Sequence, residues 1–109
     1  MALKLETLST SGTIASHQAT IASIEALGYE LITFARGVVS SAQSNTATFR
    51  VRTSGSPPTP LTLVRVDETL PLAAQEGAVN ARETGGKVLI SYAAVFVEGA
   101  ETNVAAYRG

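Results

Sequence analysis

The sequence repeats itself. Laying residues 3–51 over residues 61–109, a shift of 58 with no gap, makes thirteen positions identical, against roughly four expected by chance. They include Leu3/Leu61, Leu5/Leu63, Glu25/Glu83, Gly28/Gly86, Leu31/Leu89, Asn45/Asn103, Ala47/Ala105 and Arg50/Arg108. Conservative pairs such as Ile14/Leu72, Ile21/Val79, Phe34/Tyr92 and Phe49/Tyr107 fall between them. The fold must therefore be one that a fifty-residue unit can build twice. The stretch from Arg52 to Pro60 contains Gly55, Pro57, Pro58 and Pro60 and reads as a semi-rigid linker. We expect one domain, residues 1–109, made of repeats 3–51 and 61–109 joined by linker 52–60.

Each repeat reads as β-α-β-β. Leu3, Leu5 and Thr7 alternate with Lys4 and Glu6, the pattern of a strand with one buried face. Ser9 to Thr13 supply turn and cap residues, and Ile14, His17, Ile21 and Ile24 then form one helical stripe that Gly28 closes. Tyr29 to Ser40 is β-rich and apolar on both faces. Thr46 to Arg52 alternates again, with Ala47, Phe49 and Val51 on one side. Gln43-Ser44-Asn45 and Glu101-Thr102-Asn103 are expected to be hairpin turns, because Asn tolerates positive φ. In the second repeat Gln75, Arg82 and Gly86 interrupt the stripe, and Gly77 and Gly85 weaken the helix, so a shorter or frayed helix is predicted between 71 and 84. Leu27-Gly-Tyr-Glu-Leu-Ile-Thr-Phe34 is similar to the helix-to-strand junction of small bacterial domains that carry a Gly-Trp-Glu-Leu run there; the likeness spans eight residues, lacks the Trp and implies no function.

The predicted class is α+β: tandem duplicated β-α-β-β units forming one mainly antiparallel six-stranded sheet, with both helices on one face and a pseudo-twofold axis between the units. The long second strands set Ile32, Phe34 and Val38 against Leu31, Ala35 and Val39, so the far face of the sheet should be covered too. Only 16% of residues are charged, and the mean hydropathy is +0.20. Both point to surface buried in a homo-oligomer, through an apolar sheet face.

Composition excludes several chemistries. With no Cys there are no disulfides, thiolate nucleophiles or zinc knuckles, and a single His cannot build a His-rich metal site. A net charge of −1 argues against nucleic acid as a partner. The longest apolar run, Val88 to Val97, is far short of a membrane-spanning helix, and the charged start is unlike a signal peptide, so a cytoplasmic protein is expected. No catalytic constellation, metal site or cofactor motif is present in the sequence.

Five residues are candidate ligand contacts. His17 lies on the inward helical stripe, where an imidazole over the sheet could serve as a general base. Tyr29 and Arg36 flank the same region, and an inward Arg36 needs a partner. Arg50 and Arg108 occupy matching places after an aromatic, where they can meet an anion or a neighbour's acidic groups. Glu25 and Glu83, unfavourably placed near helix C-termini, should pair with basic neighbours. The leading expectation is a non-catalytic homo-oligomeric assembly or interaction protein of unknown partner. The alternative is a small-molecule-binding protein or cofactor-free enzyme with a helix–sheet pocket near His17.

Overall fold

The order strand–helix–strand–strand occurs twice in succession along the chain. The computed structural model describes residues 3–53, 55–56, 58–83 and 85–109. Its elements are β1 (Leu3–Leu8), α1 (Ile14–Glu25), β2 (Tyr29–Val39), β3 (Ala42–Val51), β4 (Leu61–Val66), α2 (Leu72–Glu83), β5 (Val88–Val97) and β6 (Ala100–Arg108). The class is α+β, with antiparallel strands throughout. Ser54 and Pro57 of the expected linker, and Thr84 at the end of the second helical segment, lie outside the described residues.

The two halves are built alike. The first sheet has the order β1-β3-β2 and the second β4-β6-β5. Leu3 faces Arg50 and Leu61 faces Arg108, the same register displaced by 58. A β-bulge interrupts β2 between Leu31 and Thr33, and its counterpart interrupts β5 between Leu89 and Ser91. The bulge corrects the predicted faces of these strands. The extra residue turns the alternation over, so Leu31 and Phe34 share one buried face while Thr33 and Ala35 share the other.

The hairpin turns also differ from expectation. They are Ser40-Ser41, with φ of 51° and 64°, and Glu98-Gly99, with φ of 53° and 82°. Two successive left-handed residues make the turn whose twist suits a hairpin. Asn45 and Asn103 therefore stand inside strands, not in the turns.

Thr13 caps α1 by accepting the Ser16 N–H (3.1 Å). The left-handed Gly28 (φ 105°) leads the chain out of α1 into β2. α2 is not shortened: like α1 it has 12 residues. Its start is fixed by Pro71, whose carbonyl accepts from Ala74 and Gln75, and by Asp67, whose carboxylate accepts the Thr69 N–H and hydroxyl. Those bonds hold the Asp67 carboxyl below its usual range.

The single six-stranded sheet is not formed. Two three-stranded sheets pack together through β2 and β5 with no ladder between them. Face packing buries Val95, Val97, Val104 and Ala106 of the second sheet against Leu8, Phe34 and Phe49 of the first, in one core with Ile21 and Ile24 of α1. An edge-to-edge junction would leave these side chains in water. The other face of the second sheet carries Val66, Ala105 and Tyr107, which pack on Val79 of α2. The second sheet is thus filled on both faces and the first on one.

Nor are the halves related by a twofold axis. α1 packs on β4, burying Leu61 and Leu63 to 7% and 4% exposure. The equivalent Leu3 and Leu5 of β1 stay 58% and 66% exposed. The expected buried face of β1 is therefore open. The contact is head-to-tail: the helix side of the first half holds the strand side of the second, and the reciprocal contact is not made within the chain.

Candidate functional site

One member of each polar pair identical in the two halves, Glu25, Asn45 and Arg108, lies where the halves meet. Asn45, central in β3, is fully buried and reaches across to β5. Its Nδ2 donates to the Phe96 carbonyl (2.8 Å) and its Oδ1 accepts the Phe96 N–H (2.7 Å). The side-chain amide thus closes a two-bond pair with the backbone N–H and C=O of Phe96 in the other half. His17, on the second turn of α1, adds to this cluster: Nε2 lies 3.0 Å from the Phe96 carbonyl. A carbonyl only accepts, so Nε2 carries the proton in that bond. The ring packs edge-on against Phe34, with centroids 5.4 Å apart. Gly12 makes room for it, since a Cβ there would come within 2.7 Å of the ring carbon. The Gly12 and Thr10 carbonyls accept the N–H groups of Glu98 and Gly99, docking the β5–β6 turn (2.9 Å each).

The second contact is an ion pair at the other end of α1. Arg108 holds Glu25 with both terminal nitrogens, at 2.6 and 3.3 Å. Both side chains are largely buried. Glu25 also accepts the Leu31 N–H (2.8 Å), and Arg108 donates to the Thr59 carbonyl (2.7 Å). Such a fork is geometrically selective as well as attractive. Arg52 donates to the Glu25 backbone carbonyl and so offsets the negative helix terminus nearby.

The five candidate contacts do not gather into one site. His17 is in the interior, and Tyr29 lies at the sheet end with the Lys4 ammonium 5.6 Å from its ring centre. Arg36 pairs with Glu101 across the halves at 2.8 Å, and Arg50 pairs with Glu30 at 3.5 Å, both at exposed positions. Arg108 pairs with Glu25, so the two matching arginines have different partners. Sequence reasoning missed Asn45 as a contact residue. Its retention in both repeats was the signal, and a turn role was assigned to it instead.

Clefts flank α1 and α2. One of about 380 Å³ lies beside Glu25, Arg52 and Thr59; another of about 300 Å³ runs between α2 and β5, past Gln75, Val79 and Tyr92. His17 lines neither. Among the described residues, no three His, Asp or Glu side chains come together as a metal site requires, and no helix is long and apolar enough to cross a membrane.

The fold and this junction define a class: an α+β protein of two similar β-α-β-β halves joined head-to-tail. Comparison of the chain with family models, with curated proteins and with solved structures gives no match.

Proposed function

We propose that the chain is a non-catalytic assembly protein that associates with copies of itself, and that its halves descend from one β-α-β-β segment copied in tandem within a single domain. The shared registers, the paired bulges and the identities at a shift of 58 support the copying. One observation carries the self-association. Leu3 and Leu5 lie open on β1 while their counterparts on β4 fill a core, and Leu72, Val38 and Val88 are also exposed. Leu3 and Leu5, two residues apart on one face of β1, make an open apolar stripe of the kind that marks a contact surface. The alternative, a ligand pocket at His17, gains no support: the ring fills its space against Phe34, and its Nε2 is occupied by Phe96.

Sedimentation velocity over a wide concentration range tests this reading. The expected result is a reversible rise in mass with concentration. A strict monomer from sub-micromolar to near-millimolar protein would overturn it.

A further inference from the structure

The contact between the halves is one-sided, and one-sided contacts leave a matching pair of surfaces unused. In the first half, Leu61 and Leu63 of β4 are buried in one core with Ile21 and Ile24 of α1 and Leu31 and Phe34 of β2. In the second half, the groove between α2 and β5 is open, with a volume of about 300 Å³. Residue for residue the two grooves agree. Leu72, Gln75, Val79, Glu83, Leu89 and Tyr92 stand where Ile14, His17, Ile21, Glu25, Leu31 and Phe34 stand, each displaced by 58. The strand equivalent to β4 is β1, whose Leu3 and Leu5 are the exposed counterparts of Leu61 and Leu63.

The polar contacts have unused counterparts as well. Arg108 meets Glu25; their equivalents, Arg50 and Glu83, are both exposed, and Arg50 pairs loosely with Glu30 at 3.5 Å. Gln18 accepts the Leu63 N–H at 2.9 Å, and Glu76, an equally good acceptor, occupies its place opposite Leu5 in the repeat. Asn45 clasps Phe96; its equivalent Asn103 turns to Gln75, and Val38, the equivalent of Phe96, is exposed. Glu98 and Gly99 dock on Gly12 and Thr10; the equivalents are Ser40 and Ser41, and Leu70 and Glu68.

Resting on the self-association reading, we infer that the occupant of the α2–β5 groove is β1 of a second copy of this chain. Each junction between chains then repeats the junction inside the chain, with Arg50 of one copy on Glu83 of the next. Charge complementarity and continuity with an interface the chain already makes select this partner over an unrelated one. Thr46 and Thr48 stand where the second half has the buried Val104 and Ala106. The junction between chains is therefore less apolar than the one within, and it forms reversibly.

Two single-ended variants test the inference. Leu5→Asp spoils the β1 end. Leu72→Asp with Glu83→Arg spoils the groove end. All three positions are exposed, so circular dichroism and the denaturation midpoint in dilute solution should match the wild type. Each variant alone should self-associate at least about tenfold more weakly than the wild type. Mixed in equal amounts, they should form a two-chain complex and nothing larger, since one intact strand end meets one intact groove. A chain carrying both Arg50→Glu and Glu83→Arg should regain the association that Arg50→Glu alone loses. If both variants associate like the wild type, or their mixture stays monomeric, the head-to-tail contact is refuted while self-association through another surface stands. If the wild type itself is a monomer, both readings fall.

Discussion

Replacing Arg108 by Ala should destabilise the fold far more than replacing Arg50 by Ala, although the two arginines are equivalent in the repeat. Arg108 and Glu25 form a buried fork at 2.6 and 3.3 Å, and the arginine also satisfies the Thr59 carbonyl. Its loss leaves the Glu25 carboxylate in the interior with the Leu31 N–H as its remaining short contact. Removing one partner of a buried pair costs about 3–5 kcal/mol. Because the Leu31 bond survives, the low end applies, about 3 kcal/mol. The Arg50–Glu30 pair is longer, at 3.5 Å, and half-exposed, so its loss costs about 0–1 kcal/mol. Urea unfolding followed by circular dichroism, in solution dilute enough to keep chains apart, reads the difference. With a slope of about 2 kcal/mol/M, Arg108→Ala lowers the midpoint by roughly 1.5 M, and Arg50→Ala leaves it nearly unchanged. A double-mutant cycle with Glu25→Ala should show strong coupling, because the second removal no longer strands a charge. Midpoints falling equally for the two arginine variants would refute the asymmetry of the junction.

Two further expectations follow from buried hydrogen bonds. Asn45→Ala strands the Phe96 N–H, whose partner is the Asn45 amide oxygen, at a cost of about 1–3 kcal/mol. Hydrogen exchange at Phe96 should accelerate markedly, while Asn103→Ala, at a half-buried position, should change stability little; equal effects would contradict the placement of Asn45. Tyr107 donates its hydroxyl to the Val79 carbonyl (3.1 Å), and burial raises its pKa above the ordinary value of 10.0. The folded state therefore favours the neutral phenol. The resulting stability is fully present below about pH 10 and declines as pH rises toward the folded value. Tyr107→Phe should flatten that alkaline decline, and an unchanged slope would show that other groups cause it.

The β-α-β-β order and the hydrophobic stripe of α1 were legible because they depend on local periodicity. Ile14, His17, Ile21 and Ile24 recur at helical spacing, and three of the four are buried. The bulges were not legible. Val, Ile and Phe occupy both sides of β2 in the sequence, and nothing in that run marks where one extra residue reverses the alternation. The turns were misplaced for a related reason. Ser40-Ser41 carries no Gly or Asn, the residues that usually advertise left-handed backbone; Gly99 does mark the second turn, but Asn45 and Asn103, which match between the halves, drew the assignment although Asn45 serves a contact distant in sequence. Of the candidate site, the residues were visible through their repetition, but not their partners. Glu25 was expected to find a basic neighbour, and only the packing of α1 on β4 makes that neighbour Arg108.

The same packing explains why two similar sequences meet different surroundings. Two units joined head-to-tail must leave one helix side and one strand side unmatched, whatever their sequences. On the duplication reading, the repeats should differ most on those two free surfaces. They do so in part. Thr46 and Thr48 replace the buried Val104 and Ala106 on the free strand side, and Arg82 and Gln75 replace the buried Ile24 and His17 on the free helix side. These changes lower the apolar content of the exposed ends, which limits indiscriminate sticking. Yet Leu3, Leu5, Arg50 and Glu83 are identical to their buried counterparts. Mere adaptation to water would favour polar residues at Leu3 and Leu5, and solvent gives no reason to keep Arg50 and Glu83 as a matched pair. Their joint retention fits ends that are wet part of the time and covered by another chain the rest.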